Sequence, residues 1–304
     1  MLRMLRQKLL NPVLSQLSLM ENKIDKLSDT TNSMLNFQQP SPGEITEQVL
    51  LEFNHLLHEL RSNEIAHMPK DIKVLLSAGA SDRSYFDWIE REFGKVDKHI
   101  GIELYRPKPD DLPPYVEWIS DNVGEMKGVP DKSVDMVFSG QNIEHLQFDD
   151  LVGFIHESHR VLKKGGWLVI DSVNRIITSH VKWMHPEHIA EFTVEEMDEM
   201  LLSGGFETKH RKGLLLMRES DGSPIWSLHP NLFESAYAWG GNDGWLRRSI
   251  NAHDKPNDSF IWWIEARKQA DTVDKEQLRN VCERIFTNAR QEMIERTQNK
   301  DRNS

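Results

Sequence analysis

An α/β fold built on a mostly parallel sheet is what this sequence predicts, and three observations point to it. Strand-like and helix-like stretches alternate from Asp71 to Arg267. The first strand, Val74-Leu75-Leu76, is a short continuous apolar run of the kind buried on both faces. It empties into Ser77-Ala78-Gly79-Ala80-Ser81, which has almost no side-chain bulk, so a ligand can approach the backbone closely.

The 304 residues are enough for one large domain with an appendage, or two small domains, and for a sizeable core. A net charge of −11, with no basic stripe among aromatics, argues against nucleic acid as a partner. Cys282 is alone, so there is neither an intrachain disulfide nor a cysteine metal site, and a reducing, cytoplasmic setting is expected. The longest apolar runs are strand-sized, and Arg3, Arg6, Lys8 and Pro12 break the first stretch. Neither a signal peptide nor a membrane span is expected.

Residues 1–40 differ from the rest. Val13, Leu17, Met20, Ile24, Leu27, Thr31 and Met34 recur at spacings of four and three, a heptad register held for about three repeats. This predicts an oligomerising coiled coil and hence a homo-oligomer; the competing reading is a helix packed on its own domain. Leu2, Leu5, Leu9 and Leu10 beside Arg3, Arg6 and Lys8 make a short basic amphipathic pattern, read either as peripheral contact with an anionic membrane or as the frayed start of the coiled coil. Gln38 to Gly43 is a linker, and Ile45 to Ile65 is a helix with Val49, Leu50, Phe53, Leu56, Leu57 and Leu60 on one broad face.

After the small-residue turn the period changes to helix, with Tyr85, Phe86, Ile89 and Phe93 on one face and Gly94 as the expected C-cap. Its N-terminus favours an anion or carboxylate. Ile100-Gly101-Ile102 is the next strand and ends on Glu103, whose two oxygens suit the vicinal hydroxyls of a ribose. The plain alternative is an ordinary tight turn and a surface glutamate. The proline-rich Arg106 to Tyr115 is a loop, followed by a third strand, Val116 to Ser120, that ends at Asp121 and Asn122. Gly128 to Lys132 is a turn and Ser133 to Ser139 the fourth strand. A helix over Phe148 to Val161, a turn over Lys163 to Gly166 and a strand over Trp167 to Asp171 follow. Glu207 to Met217 and Ser259 to Arg267 are the last strands, with Trp262 and Trp263 as core. About forty residues separate them, far more than a hairpin loop needs. The C-terminal helix, Lys275 to Arg296, has Leu278, Val281, Ile285 and Ala289 on its packing face.

Taken in order, Gly79, Glu103, Asp121, Val129-Pro130-Asp131-Lys132-Ser133-Val134-Asp135, Glu144-His145-Leu146 and Arg160-Val161-Leu162-Lys163-Lys164-Gly165-Gly166 resemble the cofactor half of a class I S-adenosylmethionine-dependent methyltransferase, of the broad type 11 group. The resemblance runs from Val74 to Ile170. In the glycine turn only Gly79 is kept, with Ser81 and Arg83 at the later glycine positions. It implies a Rossmann-like seven-stranded sheet with its last two strands antiparallel, and S-adenosylmethionine as cofactor. Ala78, Gly79 and Ala80 would lie against the methionine part, Glu103 would hold the ribose, Asp121 and Asn122 would meet the adenine edge, and Ser139 and Gln141 would line the sulfonium side. The resulting domain plan is a helical segment over 1–40, a methyltransferase domain over 44–270 with an insertion at about 218–258, and a C-terminal helix and tail over 271–304.

If the acceptor is an alcohol, it must lose a proton to a base within hydrogen-bond reach. His145, after the fourth strand, and His188, before the helix that runs to a Gly-Phe turn, are the candidates; packing or loop anchoring is the competing role of His145, and Glu144 reads as structural. His180, His185 and His188 are loosely spaced and no partnered carboxylate pair stands out, so no metal is expected. In the insertion, Trp226, Trp239, Trp245 and Arg247 offer flat apolar faces beside polar groups, which suits a sugar, against the reading that the tryptophans form the insertion's own core. The sequence therefore points to O-methylation of a sugar or bacterial surface glycan, with a coiled coil that sets the oligomeric state or docks the enzyme to a synthesis complex. Small-molecule, quinone or lipid acceptors, and a non-catalytic scaffold, stand as alternatives.

Overall fold

A computed structural model describes residues 47–180, 185–218 and 250–303. The predicted coiled coil over 1–40, the Gln38 to Gly43 linker and nearly all of the 218–258 insertion, with Trp226, Trp239, Trp245 and Arg247, lie outside the described residues. His55–Ser227 together with Arg248–Ser304 forms one compact unit; of the other, Met1–Asn54 with Leu228–Arg247, only the start of one helix is described.

The elements follow the expected alternation: α1 (Glu47–His67), β1 (Val74–Ala78), α2 (Arg83–Phe93), β2 (Lys98–Glu103), β3 (Val116–Ser120), β4 (Val134–Gly140), α3 (Phe148–Val161), β5 (Leu162–Val173), α4 (Arg175–His180), α5 (Val194–Ser203), β6 (Phe206–Leu216), β7 (Ser259–Lys268) and α6 (Lys275–Asn303). Seven strands form one sheet in the order β3-β2-β1-β4-β5-β7-β6. The pairs from β3 to β5 are parallel, while β7 runs antiparallel to both β5 and β6. Strand order reverses between β1 and β4, and a crevice outside their carboxyl ends is where such sheets take a ligand. No described helix is long and apolar enough to cross a membrane.

Two apolar layers cover the sheet, and the period-2 alternation of the strands decides which residue meets which. Leu76, Val137, Ile170 and Trp262 face a cluster with Phe154 and Ile155 of α3, Met200 of α5 and Leu278, Cys282 and Ile285 of α6. Their neighbours Leu75, Met136, Val169 and Trp263 face Ile65, Trp88 and Ile89 on the other side. The α2 helix is capped at both ends: Asp82 accepts the Tyr85 N–H at 3.1 Å, and the Gly94 N–H donates to Glu90 O at 3.0 Å with φ of 107°.

Two motif residues serve the frame. Asp135 accepts the N–H groups of Lys73 and Val74 and the ammonium of Lys163, locking β4 to the start of β1 and to β5. Arg160 donates to the carbonyls of Val129 and Met126, which holds the turn before β4. Lys163 to Gly166, expected as a turn, lies within β5. Leu162 pairs with Val134 and Trp167 with Met136, so the chain bulges there while remaining in the ladder, and Gly165 takes the kink at φ of 69°.

Candidate active site

The crevice has a cofactor-like edge formed by the ends of β1, β2 and β3. Gly79 has φ of 82°, and a Cβ on it would sit 2.8 Å from Oδ1 of Asn142. Only a glycine lets this turn lie against the end of β4. The N–H groups of Gly79 and Ala80 donate to Ile102 O at 3.0 and 3.1 Å, which ties the turn to β2. Glu103 ends β2, with Oε1 fixed by the N–H groups of Tyr105 and Arg106, so the carboxylate is oriented before any ligand arrives. Asp121 caps the loop after β3 by accepting the N–H groups of Asn122 and Lys127, while the Asn122 side chain is bonded to Asp150 and Gly124. Each carboxylate oxygen of Asp121 has a second lone pair with which to accept an amino group. Arg83 turns outward to Asp87, at 2.9 Å, and to Asp111, leaving the turn itself to small residues. A glycine-only cradle and an oriented carboxylate at successive strand ends fit S-adenosylmethionine.

At the end of β4 the backbone turns sharply. Gln141 has φ of 51°, which is strained for a residue with a side chain, and its N–H donates to Asp171 O at 2.9 Å. Ser139 is buried and accepts from Asn142 at 3.2 Å. One helical turn, Ile143–His145, then carries Glu144 and His145. Asp171, fully buried at the adjacent end of β5, is bonded by the guanidinium of Arg61 from α1 and by Gln141.

His188 reaches the same place from another segment. The N–H groups of Ile189 and Ala190 donate to Glu144 O at 2.8 and 3.3 Å, while Phe192 bridges to Asn174. The capping box of Thr193 and Glu196 then starts α5, which fixes where this segment ends. The ring centroids of His145 and His188 are 4.8 Å apart, and His185 stacks on His188 at 4.7 Å. Burial pushes the Glu144 carboxyl up to about 7, only partly offset by His188 and by the Ser172 hydroxyl. Burial, and then the neighbouring His188, hold His145 below its ordinary value, so it is neutral near pH 7. His188 Nδ1 lies 2.8 Å from Glu191; burial raises that carboxyl, but hydrogen bonds from His188 and Thr178 outweigh it and keep it ionised.

Both expected histidines are thus together, and both lie at the end of β4 where Ser139 and Gln141 stand. Sequence reasoning missed three partners. Glu144, a structural residue in the sequence reading, is buried beside both histidines, and the local sequence singles out neither Glu191 nor Ser172. The signal for Glu191 was its place three residues after His188 in His185-Pro186-Glu187-His188-Ile189-Ala190-Glu191, followed by a capping box.

Comparison with known proteins points to the same cofactor. A family model described as "Methyltransferase domain" matches residues 100–170. The chain is 36% identical over 182 residues to a Mycolicibacterium smegmatis protein named "Probable S-adenosylmethionine-dependent methyltransferase", covering 58% of this chain and 68% of that relative. Two Mycobacterium tuberculosis proteins of the same description match at 37% over 95 residues, about a third of their length. Among solved structures, a chain from the complex of the Haloferax volcanii Trm112 methyltransferase activator with a methyltransferase superposes with a TM-score of 0.51 at 12% identity, over 75% of this chain and 95% of that one. That likeness concerns the fold alone.

Proposed function

We propose that this chain, which belongs to the S-adenosylmethionine-dependent methyltransferases, methylates a hydroxyl group, and that the hydroxyl is activated at the Glu144–His145–His188 cluster. S-adenosylmethionine, when bound, supplies a methyl on a sulfonium sulfur, so the carbon–sulfur bond breaks with its electron pair left on sulfur as the acceptor oxygen bonds the carbon. The chain's own task is to align that oxygen, exclude water and dispose of its proton. The observation that supports an oxygen acceptor is the cluster itself: two imidazoles and a buried carboxylate at the end of β4, beside the turn formed by Ser139 to Asn142.

A neutral His145 has the lone pair such a proton transfer needs, and Glu191 orients His188 through Nδ1. A sugar or bacterial surface glycan is the acceptor class we favour, on the composition of the insertion around Trp226, Trp239, Trp245 and Arg247. Homo-oligomerisation through residues 1–40, peripheral contact with the inner membrane or a glycan-synthesis complex, and a cytoplasmic site of action belong to the same proposal.

Transfer of a tritiated methyl group to a panel of glycans, quinols, lipids and small metabolites tests it. Label in a glycan hydroxyl is the expected result. Label in a quinol or lipid would replace the acceptor class, and calorimetric binding of S-adenosylmethionine without transfer to any acceptor would leave a scaffold.

A further inference from the structure

The cluster at the end of β4 has features that simple proton transfer does not require. Glu144 is fully buried, its Oε2 accepts from the Ser172 hydroxyl at 2.8 Å, and its Oε1 meets no hydrogen-bond donor. A buried carboxylate oxygen left in that state is destabilising unless something positive meets it. The two histidines beside it are oriented alike. Nδ1 of His145 lies 3.1 Å from the carbonyl oxygen of Glu187, and Nδ1 of His188 lies 2.8 Å from the Glu191 carboxylate. Both partners are oxygen acceptors, so each Nδ1 carries a proton and Nε2 is the nitrogen each ring can offer as a ligand atom. His185 is in the opposite tautomer, because its Nδ1 accepts the Glu187 N–H at 3.3 Å. One ligand-type atom from each of Glu144, His145 and His188 lies within 4.8 Å of the other two.

We propose that Glu144, His145 and His188 bind a single divalent transition-metal cation of the zinc or iron(II) type, which takes the acceptor hydroxyl into its open position. Two imidazoles and one carboxylate are a set that such cations favour, whereas magnesium and calcium prefer oxygen ligands throughout. Each ligand already has the outer partner that metal-binding side chains usually have: Ser172 for Glu144, the Glu187 carbonyl for His145, and Glu191 for His188. Glu191 is itself held by the Thr178 hydroxyl and by Arg296 of α6. Bonds of about 2.1 Å need ligand atoms roughly 3–4 Å apart, which small side-chain rotations supply from the observed spacing. Three protein ligands leave a coordination position for an oxygen, and a metal-bound hydroxyl loses its proton more readily than a free one. This departs from the metal-free expectation drawn from histidine spacing, because the carboxylate comes from Glu144 and the histidines are His145 and His188, rather than His180, His185 and His188. It rests on the reading of this cluster as the acceptor side of the crevice.

The test reads the metal first. Full-length protein, stripped with a chelator and titrated calorimetrically with Zn2+, is expected to bind one equivalent that is weakened at least a hundredfold in Glu144→Gln and in the double variant His145→Gln, His188→Gln. Co2+ in place of Zn2+ is expected to give a visible absorption band that these variants lose. Circular dichroism and S-adenosylmethionine binding establish that the variants are folded. Zn2+ binding equal in the wild type and both variants would overturn the proposal, as would full methyl transfer by the chelator-treated protein, which would leave the imidazoles as bases. Zn2+ bound by the wild type and lost in the variants, with no acceptor methylated by the loaded protein, would uphold the cation site while overturning the acceptor reading.

Discussion

The edge made by β1, β2 and β3 presents mainly backbone and two loop-fixed carboxylates, whereas the edge made by β4, β5 and the 185–193 segment presents imidazoles beside buried carboxylates. Residues of the first edge lie close to their partners in the chain: Glu103 is fixed by Tyr105 and Arg106, Asp121 by Asn122 and Lys127. Residues of the second come from afar, His145 reaching Glu187 and Glu144 reaching Ser172. The first is suited to hold a constant cofactor and the second to adapt chemistry to an acceptor.

If that division is right, the two edges separate under mutation. The largest effect is expected from His188→Ala, with kcat for methyl transfer falling about 10²–10⁴-fold while the Kd for S-adenosylmethionine, read by calorimetry, stays at the wild-type value. A parallel loss of cofactor affinity would show that the edges are one site energetically. Next comes Asp171→Ala, which strands the Arg61 guanidinium in a largely buried position beside Trp88. Removing one partner of such a pair is expected to cost about 3–5 kcal/mol, measured by urea unfolding. On the cofactor edge, Gly79→Ala forces a Cβ to 2.8 Å from Asn142 Oδ1 at a φ of 82°. The S-adenosylmethionine Kd is expected to rise about a hundredfold, or roughly 2.7 kcal/mol, with circular dichroism unchanged.

The same division explains what was legible in the sequence. Strand order and the cofactor edge are written in local signals: an apolar run, a small-residue turn, a carboxylate at a strand end, and Asp135, which accepts two N–H groups at the start of β1 and the Lys163 ammonium of β5. The acceptor edge is assembled by tertiary contacts, and its key hydrogen bonds, from the N–H groups of Ile189 and Ala190 to Glu144 O, link segments with no shared local pattern. The Glu144-His145-Leu146 motif and the stretch at His188 are each legible by resemblance, but nothing local marks Glu144 as buried or brings the two stretches together. Two glycines signal a turn locally at Lys163 to Gly166, while pairing of the flanking Leu162 with Val134 and Trp167 with Met136 keeps that stretch in the sheet as a bulge.

The smallest expected effect compares two buried histidines. His188 has an ionised carboxylate at Nδ1, whereas His99, 2% exposed on β2, faces Ser77 at 2.8 Å and the ring of Phe86. Burial drives His99 down to about 3 from the ordinary 6.5, so it stays neutral in the fold while the unfolded chain takes up a proton below 6.5. Its contribution to stability is therefore complete above pH 6.5 and is lost as pH falls from there toward 3, at up to about 1.4 kcal/mol per pH unit. Between pH 7.5 and 5, urea unfolding of the wild type should lose about 2 kcal/mol more than that of His99→Gln, which keeps a polar group opposite Ser77 but cannot titrate. Equal losses in the two proteins would mean that His99 takes up a proton in the fold as readily as in the unfolded chain.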